Sequence, residues 1–306
     1  MASKKGPDPV SVRGIRISSP SRVVYPDLGL TKIDLVSYYD HVAEWMFPHV
    51  QDRPLTLVHC PDGLQAPCNY MRHRRVWGPN VLKRVSIKEK TKTGEYLAVV
   101  NLEGIIALAQ MGIIEVHTWN STIDDVERPN RIVWDLDPGP DVHFREVIAA
   151  AIAVRHLLEM LGLQSWVKTT GGRGIHVVAP FMRQRQWDEC LTFAKAVAEA
   201  LTATNPSLYT TAFAKAGREK KILIDYLRNN RTNTSVAAFS ARAKAAATVS
   251  MPISWKQLTA QLTPEAYTVT TVPGKRRADS WREYWTCKQK ISAAAFTAIT
   301  KLRRIA

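Results

Sequence analysis

Two aspartates close an apolar run in the middle of the chain. Residues 131–134 are Arg-Ile-Val-Trp, Asp135 and Asp137 follow, and a Pro-Gly-Pro turn comes next. Residues two apart in a strand point to one face, so we expect both carboxylates to emerge side by side where the strand stops. Hard divalent ions prefer oxygen ligands and bridge carboxylates to phosphates, so the pair predicts a phosphoryl-transfer metal site. A plain surface turn is the alternative.

A third carboxylate, Asp225, follows the apolar residues 222–224. An uncompensated charge inside such a strand is costly, unless the residue lies at an exposed sheet edge. If Asp225 instead faces the same cleft as Asp135 and Asp137, the three form a cage of the kind that holds two metal ions about 3.5–4 Å apart.

A glycine-rich loop at residues 169–176 reads Thr-Thr-Gly-Gly-Arg-Gly-Ile-His. Glycines such as Gly171 let backbone N–H groups approach phosphate oxygens, while Thr170, Arg173 and His176 add a hydroxyl, a cation and an imidazole. The loop is neither a Walker loop nor a dinucleotide fingerprint. A simple hairpin, which needs only the glycines, is the alternative.

Basic residues follow the Asp225 segment and are placed to neutralise the phosphates of a nucleoside triphosphate or of a template strand. They are Arg228, Arg231, Arg242 and Lys244, for which solvated surface charge is the alternative. His117 lies on an alternating strand, where a structural histidine is the common case.

Strands and helices must alternate to position these groups. The apolar spacing predicts helices at residues 31–48, 102–111, 142–161 and 187–202, the first with Thr31 as N-cap. It predicts strands at residues 12–17, 55–59, 96–101, 113–118, 131–134, 166–169, 175–179, 221–227 and 234–240. This mixture indicates an α+β (mixed α/β) enzyme rather than a helical bundle or a β-sandwich.

The net charge points to a polyanionic partner. The 306 residues carry 42 Lys plus Arg against 27 Asp plus Glu, a formal charge of +15. The excess is concentrated in residues 72–92, with eight basic and one acidic residue, and in residues 211–256, with nine basic and two acidic. Such segments predict a nucleic-acid groove, although solubility is the simpler explanation of charge alone.

Cysteine usage and hydropathy indicate the compartment. The four cysteines are scattered without a Cys-x-x-Cys pair, the first thirty residues contain no apolar signal segment, and no apolar stretch is long enough to span a bilayer. We therefore expect a cytoplasmic, nucleoid-associated protein in a reducing environment, without a membrane partner.

The order of these motifs strongly resembles the polymerase domain of bacterial DNA ligase D, in the archaeo-eukaryotic primase superfamily, which acts in non-homologous end joining. The resemblance covers residues 15–255. Its most specific parts are residues 110–112 with 117–119, 127–139, 166–176 and 225–229.

The resemblance implies a primase-polymerase core with an RRM-like sheet and two-metal nucleotidyl transfer with Mn2+ or Mg2+, with ribonucleotides preferred. Asp135, Asp137 and Asp225 would be metal ligands, and His117 would lie beside the nucleotide sugar and the metals. The triphosphate would be held by Thr170, where the family has serine, and by Arg173, His176 and Arg242.

The resemblance also implies DNA contacts. Arg22 and Lys32 match positions that grip the 5′-phosphate at a gap or break, near a helix N-terminus that favours an anion. At residues 69–72 the family has two adjacent aromatics, a polar residue and a lysine. This chain keeps only Tyr70 as an aromatic, so template stacking is expected there and not at Asn69, with Arg72 as a DNA contact.

The predicted organisation is a disordered tail at residues 1–11 and one catalytic domain at 12–300, with a DNA-contacting part at 12–110 and a catalytic core at 111–260. The predicted activity is DNA-directed addition of ribo- or deoxyribonucleotides to 3′-OH ends at gaps and double-strand breaks. Expected partners are gapped or broken DNA, NTPs or dNTPs, Ku and a DNA ligase domain. The alternatives are a de novo primase, a metal-dependent nuclease and a non-catalytic DNA-end-binding module. The chain carries no ligase signature, and both a stand-alone protein and a domain of a longer ligase stay open.

Overall fold

The computed structural model describes residues 10–73, 80–274 and 280–305. Its strands are β1 (Ser11–Val12), β2 (Ile15–Arg16), β3 (Val23–Tyr25), β4 (Leu30–Thr31), β5 (Leu55–His59), β6 (Asn69–Met71), β7 (Leu82–Lys88), β8 (Thr93–Val99), β9 (Ile113–Thr118), β10 (Arg131–Pro138), β11 (Trp166–Thr169), β12 (Ile175–Pro180), β13 (Tyr209–Thr210), β14 (Ile222–Asp225), β15 (Ser235–Val236) and β16 (Pro252–Ile253). Its α-helices are α1 (Lys32–Val50), α2 (Leu102–Gln110), α3 (Phe144–Met160), α4 (Trp187–Thr204) and α5 (Ala293–Ile305). The predicted α+β class is confirmed.

The larger sheet has six strands in the order β13-β14-β10-β12-β11-β16, and all neighbours are antiparallel except β13 and β14. Helices α3 and α4 pack against β10 in the middle of this sheet. Trp134 of β10 is fully buried, and its indole Nε1 donates a hydrogen bond to the Ala194 carbonyl of α4 at 3.0 Å. Because side chains alternate along a strand, Asp135 and Asp137 point to the face away from that helix.

The second sheet has four strands in the order β15-β9-β5-β6. Helix α1 packs on it, and the buried Tyr39 hydroxyl donates to the Ile114 carbonyl of β9 at 2.6 Å. The segment after β15 also contacts both α1 and β9: the Tyr38 hydroxyl donates to Phe239 O at 2.8 Å, and Ser240 Oγ accepts from Val116 N at 2.9 Å. This segment runs between the two sheets and continues into β16 of the larger one.

Two predicted element boundaries differ from the structure near the N-terminus. The predicted strand at residues 12–17 is the β1–β2 hairpin, which turns at Gly14 with φ of 76°. Ser11 pairs in β1 and the Val10 carbonyl accepts the Ile17 N–H at 2.8 Å, so these two residues, which the predicted tail included, belong to the hairpin. Residues 1–9 lie outside the described ranges. Helix α1 begins after Thr31 with the expected capping box to Asp34, but it continues past Pro48 to Val50. A proline in the last turn removes only the bond that its own N–H would have made.

Three strand lengths also differ from the predictions. Strand β10 continues through both aspartates to Pro138, so Asp135 and Asp137 lie inside the strand rather than after it. Pairing to β12 on one side and β14 on the other extends the strand, and the apolar run alone does not reveal this pairing. The strands predicted at residues 221–227 and 234–240 are shorter in the structure, where they are β14 and β15.

A disulfide bond joins Cys60 and Cys68, with the two Cα atoms 4.5 Å apart. The bond closes the β5–β6 hairpin directly beyond its last residue pair, His59 and Asn69. The bond differs from what the scattered cysteines led us to expect, namely a protein of the reducing cytoplasm, where structural disulfides are rare. None of the described helices is both long and apolar enough to cross a membrane.

Candidate active site

The strand register brings the three predicted aspartates to one face. Asp135 lies opposite Asp225 of β14 on one side and opposite His176 of β12 on the other. Asp137, two residues further along β10, lies opposite Leu223. Directly paired residues of antiparallel strands have Cβ atoms about 5 Å apart on the same face, so the three carboxylates form one cluster.

Two arginines bind this cluster. Arg228 Nε lies 3.1 Å from Asp135 Oδ2 and 3.0 Å from Asp225 Oδ2, so one guanidinium bridges both carboxylates. Arg218 Nη2 lies 3.1 Å from Asp137 Oδ2. The structure therefore balances the negative charge of the cluster with side chains of the same chain.

The surroundings separate the pKa values of the three carboxyl groups. Burial raises the pKa of Asp135, but His176 and Arg228 outweigh it and hold this pKa well below its usual range. Burial and the charge of Asp135 raise the pKa of Asp137 against the opposing effect of Arg218. Burial also raises the pKa of Asp225, to about 6, because repulsion from Asp135 adds to it and Arg228 only partly compensates.

The donor chemistry of the cluster suits a hard divalent ion. Three carboxylates offer oxygen ligands, which Mg2+ and Mn2+ prefer. As the side chains lie, no three His, Cys, Asp or Glu residues in the described ranges converge on a single metal position. Arg218 and Arg228 occupy the carboxylate oxygens instead, so a cation would have to take their place.

The glycine loop between β11 and β12 adjoins the carboxylates. Thr170 Oγ1 donates to Gly174 O at 3.0 Å and accepts from Gly172 N at 3.2 Å, which closes the loop on itself. Gly171 has φ of 66°, and a Cβ there would lie 2.7 Å from Arg242 Cγ. A Cβ on Gly174 would lie 2.8 Å from Leu136 O. Glycine is therefore required at both positions for the loop to rest on β10.

A buried polar row crosses the large sheet behind the loop. Lys168 of β11 lies opposite His176, which in turn lies opposite Asp135. The His176 Nε2 is 3.2 Å from Asp135 Oδ1, and Lys168 Nζ donates to Ser250 Oγ at 2.6 Å. Burial, with the charge of Lys168, lowers the pKa of His176 to about 4, so its ring is neutral at pH 7.

His117 belongs to a second polar network, on β9. Its Nε2 lies 2.9 Å from Glu115 Oε2, and Arg242 Nε lies 3.1 Å from the same oxygen. Burial lowers the pKa of His117 although Glu115 opposes this. Burial raises the pKa of Glu115, but the hydrogen bond from His117 and the charge of Arg242 lower it to about 2. Glu115 is therefore charged throughout the neutral range.

These groups enclose a polar pocket of about 220 Å³ between the two sheets. Of the predicted site residues, it is lined by His117, Asp135, Asp137, Thr170, Arg173, His176, Arg228, Arg242 and Lys244. Asp225 joins it through the shared Arg228, and Gly171 lies in the loop that forms one wall. Arg173 also donates to the Val142 carbonyl. Arg231 does not line the pocket, because it pairs with Glu127 at 2.6 Å.

Arg22 and Lys32 line a separate, larger cavity of about 740 Å³. Lys32 Nζ donates to Ser18 O at 2.9 Å, and burial together with Arg22 lowers the pKa of Lys32 to about 8. The first two N–H groups of α1 already donate to Arg22 O and Pro20 O. The helix terminus is thus less open to an anion than we predicted, and side chains supply the positive charge of this cavity.

Tyr70 lies at the edge of the polar pocket. Its side chain is 59% exposed, its ring packs edge-on against His117 at 6.0 Å, and its hydroxyl is 3.3 Å from Thr234 Oγ1. Arg72, two residues along the chain, is half-buried and lines a small crevice beside β5, away from the polar pocket. The structure thus places Tyr70, but not Arg72, beside the candidate active site.

Three residues of the site were not identified from the sequence. Glu115 was visible only as the residue two before His117, a spacing that puts both on one face of a strand. Lys168 was a charged residue inside the apolar strand β11, which is the same signal that identified Asp225. Arg218 gave no signal, because its contact with Asp137 spans 81 residues of sequence.

The chain matches a known protein family. Residues 31–285 match the family described as the LigD primase-polymerase domain.

Several curated proteins are similar to this chain. The multifunctional non-homologous end joining protein LigD of Pseudomonas aeruginosa is 32% identical over 296 residues, which cover 94% of this chain and 35% of that protein. The protein of the same description from Mycolicibacterium smegmatis is 31% identical over 246 residues, which cover 80% of this chain and 32% of that protein. The chain thus spans about a third of the length of these relatives.

One solved structure extends the likeness to three dimensions. The polymerase domain of Mycobacterium tuberculosis ligase D, solved in complex with DNA, superposes with a TM-score of 0.79 at 28% sequence identity. The match covers 85% of this chain and 93% of that one.

Proposed function

The chain belongs to the LigD primase-polymerase domain family, and we propose that it is a DNA repair polymerase that adds ribo- or deoxyribonucleotides to 3′-OH ends at gaps and double-strand breaks in non-homologous end joining. The observation that carries this proposal is the register of β10 with β14, which gathers Asp135, Asp137 and Asp225 beside a glycine loop. A DNA-binding surface gains affinity from cations and has no need for buried carboxylates.

The proposed roles follow from the positions of the side chains. The three aspartates would hold Mn2+ or Mg2+ ions in place of Arg218 and Arg228. Two such ions would supply a lower pKa of the primer 3′-OH and positive charge beside the departing pyrophosphate. The triphosphate is bound by the hydroxyl of Thr170 and by four cations near the loop. These cations are Arg173, Arg242, Lys244 and Arg228, once Arg228 is released from the carboxylates. His176 and His117 border the bound nucleotide.

We also propose where the DNA binds. Arg22 and Lys32 receive a 5′-phosphate in their cavity, because both cations line it and the carboxylate of Asp62 lies no closer than 4.0 Å to Arg22 Nη1. The exposed ring of Tyr70 stacks on the template base opposite the incoming nucleotide. Ku and a DNA ligase domain are the expected protein partners.

Primer extension on gapped DNA with Mn2+ and NTPs tests the activity. We expect the wild-type protein to extend the primer and Asp137→Asn to lose about 100-fold or more of this rate, because the cluster loses one anionic oxygen ligand. Asp124→Asn is the control, because Asp124 is an exposed residue that pairs with Arg183 at 2.6 Å. A wild-type protein that binds the DNA but adds no nucleotide with any divalent metal would refute the proposal.

The same reactions separate the alternative functions. Dinucleotide formation without a primer would indicate a de novo primase, and a shortened end-labelled primer would indicate a nuclease. A non-catalytic end-binding module would bridge DNA ends equally well with Asp137→Asn and would show no extension.

A further inference from the structure

Glu115 is a buried carboxylate behind the pocket wall that the proposed reaction does not use. Its side chain is 8% exposed. Oε2 lies 2.9 Å from His117 Nε2 and 3.1 Å from Arg242 Nε, and Oε1 accepts the Ala243 N–H at 2.8 Å. Oε2 therefore holds two side chains that line the nucleotide pocket, and Oε1 holds the backbone between Arg242 and Lys244, which also line it.

The two side-chain partners of Glu115, His117 and Arg242, belong to opposite walls of that pocket. His117 stands on β9 of the four-stranded sheet. Arg242 reaches the six-stranded sheet, because its Nη1 donates to the Thr170 carbonyl at the start of the glycine loop. The chain of contacts from Glu115 through Arg242 to Thr170 thus links β9 to the loop between β11 and β12. These contacts fix the two walls of the pocket relative to each other.

Glu115 also determines which nitrogen of His117 carries the proton. A carboxylate only accepts hydrogen bonds, so the nearby Nε2 must be protonated. In a neutral ring this leaves Nδ1 as the acceptor. Without the Glu115 carboxylate, neither the orientation of the His117 ring nor its tautomer would be fixed.

We propose that Glu115 is a positioning residue for nucleotide binding, which holds His117 and Arg242 in register across the pocket without touching the nucleotide. The inference rests on the proposed function, since it assumes that the pocket receives a nucleoside triphosphate. A charged hydrogen-bonding partner behind a binding residue pre-organises that residue, and pre-organisation is expressed as affinity. Ile114 lines the Arg22 and Lys32 cavity, but neighbouring side chains of a strand point to opposite faces, and Glu115 points to His117 and Arg242 instead. DNA affinity should therefore not depend on Glu115.

The test measures nucleotide binding apart from catalysis. Gapped DNA with a dideoxy-terminated primer and Mn2+ cannot react, so the Kd of the NTP that matches the template can be measured directly. Glu115→Gln keeps the size of the side chain and an oxygen for the Ala243 N–H, but it loses the charge and one acceptor. We expect the nucleotide Kd to rise about 10-fold and the DNA Kd to change less than about twofold. In extension with an ordinary primer, KM should rise while kcat changes little.

The matched control is Glu189→Gln. Glu189 also pairs with an arginine, Arg185 at 2.7 Å, and also accepts a backbone N–H, from Gln186 at 3.0 Å, but at the start of α4. It should leave the nucleotide Kd unchanged. An unchanged Kd with Glu115→Gln, or an equal loss of DNA and nucleotide affinity, would overturn the inference.

A double-mutant cycle tests whether Glu115 acts through Arg242. If it does, Glu115→Gln should raise the nucleotide Kd much less in an Arg242→Gln background than in the wild type. Additive effects would overturn the inference. If Glu115→Gln does not fold, Glu115→Asp tests the inference instead, because aspartate keeps the charge but is too short to reach all three partners. It must then show the same rise in nucleotide Kd.

The two proposals fail in different ways. A wild-type protein that binds the nucleotide on blocked DNA but never extends a free primer refutes the polymerase assignment and leaves the role of Glu115 measurable. A wild-type protein that extends primers, combined with normal nucleotide binding by Glu115→Gln, refutes only the role of Glu115. A wild-type protein that binds no nucleotide refutes both.

Discussion

At the scale of single residues, Asp225 carries a charge that its surroundings oppose. Its pKa of about 6 lies above the usual 3.8 of a free aspartate. Since the folded state binds this proton more tightly than the unfolded chain, the free energy of unfolding falls as the pH rises from about 4 to about 6 and stays lower above that. At neutral pH, the charge of this carboxylate beside Asp135 therefore lowers the free energy of unfolding of the metal-free protein.

We predict that Asp225→Asn stabilises the metal-free protein at pH 7.5. The free energy of unfolding should rise by about 1–3 kcal/mol, because the amide is neutral and can still accept the Leu227 N–H. Denaturant unfolding with a chelator measures this, and the gain should shrink towards pH 4. Asp124→Asn should show no such gain. A variant that is less stable than the wild type at pH 7.5 would show that Arg228 fully compensates the charge.

The sequence identified the three aspartates of the site but missed two partners of its side chains, Glu115 and Arg218. A carboxylate inside an apolar strand is unusual, and this local pattern alone singles out Asp225. The partners could not be found in this way, because Glu115 accepts the N–H of a residue 128 positions away. Contacts of that range depend on how the two sheets pack, and no local pattern records it.

At the scale of elements, the glycine loop depends on its close approach to β10. A Cβ on Gly174 would lie 2.8 Å from Leu136 O and 3.5 Å from Asp135 Oδ1, so the loop would have to move away from the strand. The loop holds both Thr170 and the carbonyl that receives Arg242, and a shift would therefore displace the phosphate-binding groups.

We predict that Gly174→Ala raises the KM for NTPs about 10-fold or more and lowers the free energy of unfolding by about 1–3 kcal/mol, because a methyl group overpacks the contact. Gly274→Ala is the control, since a Cβ there meets no atom of the described residues within 4 Å. Primer-extension kinetics and thermal unfolding measure the two effects. Wild-type nucleotide affinity in Gly174→Ala would show that the loop does not need its present position.

The disulfide is the second element-scale feature with a measurable consequence. Cys60 and Cys68 close a short loop at the end of the β5–β6 hairpin, and β6 carries Tyr70. We predict that replacing both by serine lowers the free energy of unfolding by about 2–3 kcal/mol, through the added freedom of the unfolded chain. A reductant should destabilise the wild type by a similar amount and leave the double variant unchanged. Equal effects of reductant on both proteins would argue against the bond.

The types of the predicted elements were right, although β7 and α5 were not predicted, whereas element ends depended on pairing. The capping box of Thr31 and Asp34 gave the start of α1, since that signal is local. The length of β10 was underestimated, because its last residues are held by β12 and β14, which lie later in the sequence.

At the scale of the whole molecule, two sheets whose strands alternate along the chain enclose one polar pocket. The mixture of strands and helices predicted the α+β class, since apolar periodicity is a local property. The strand order β13-β14-β10-β12-β11-β16 could not be read from it, because β10 pairs with strands that begin at residues 175 and 222. The formal charge of +15 gave the kind of partner without giving the place where it binds.

The proposed activity requires that one carboxylate cluster, built from β10 and β14, binds divalent metal beneath a nucleotide. Anomalous scattering from Mn2+ locates such ions in crystals grown with gapped, dideoxy-terminated DNA and the matching NTP. We expect strong manganese peaks within about 2.5 Å of oxygens of Asp135, Asp137 and Asp225, with Arg218 and Arg228 displaced from them. Nucleotide density with Arg228 still bridging Asp135 and Asp225, and without manganese between the carboxylates, would contradict this mechanism.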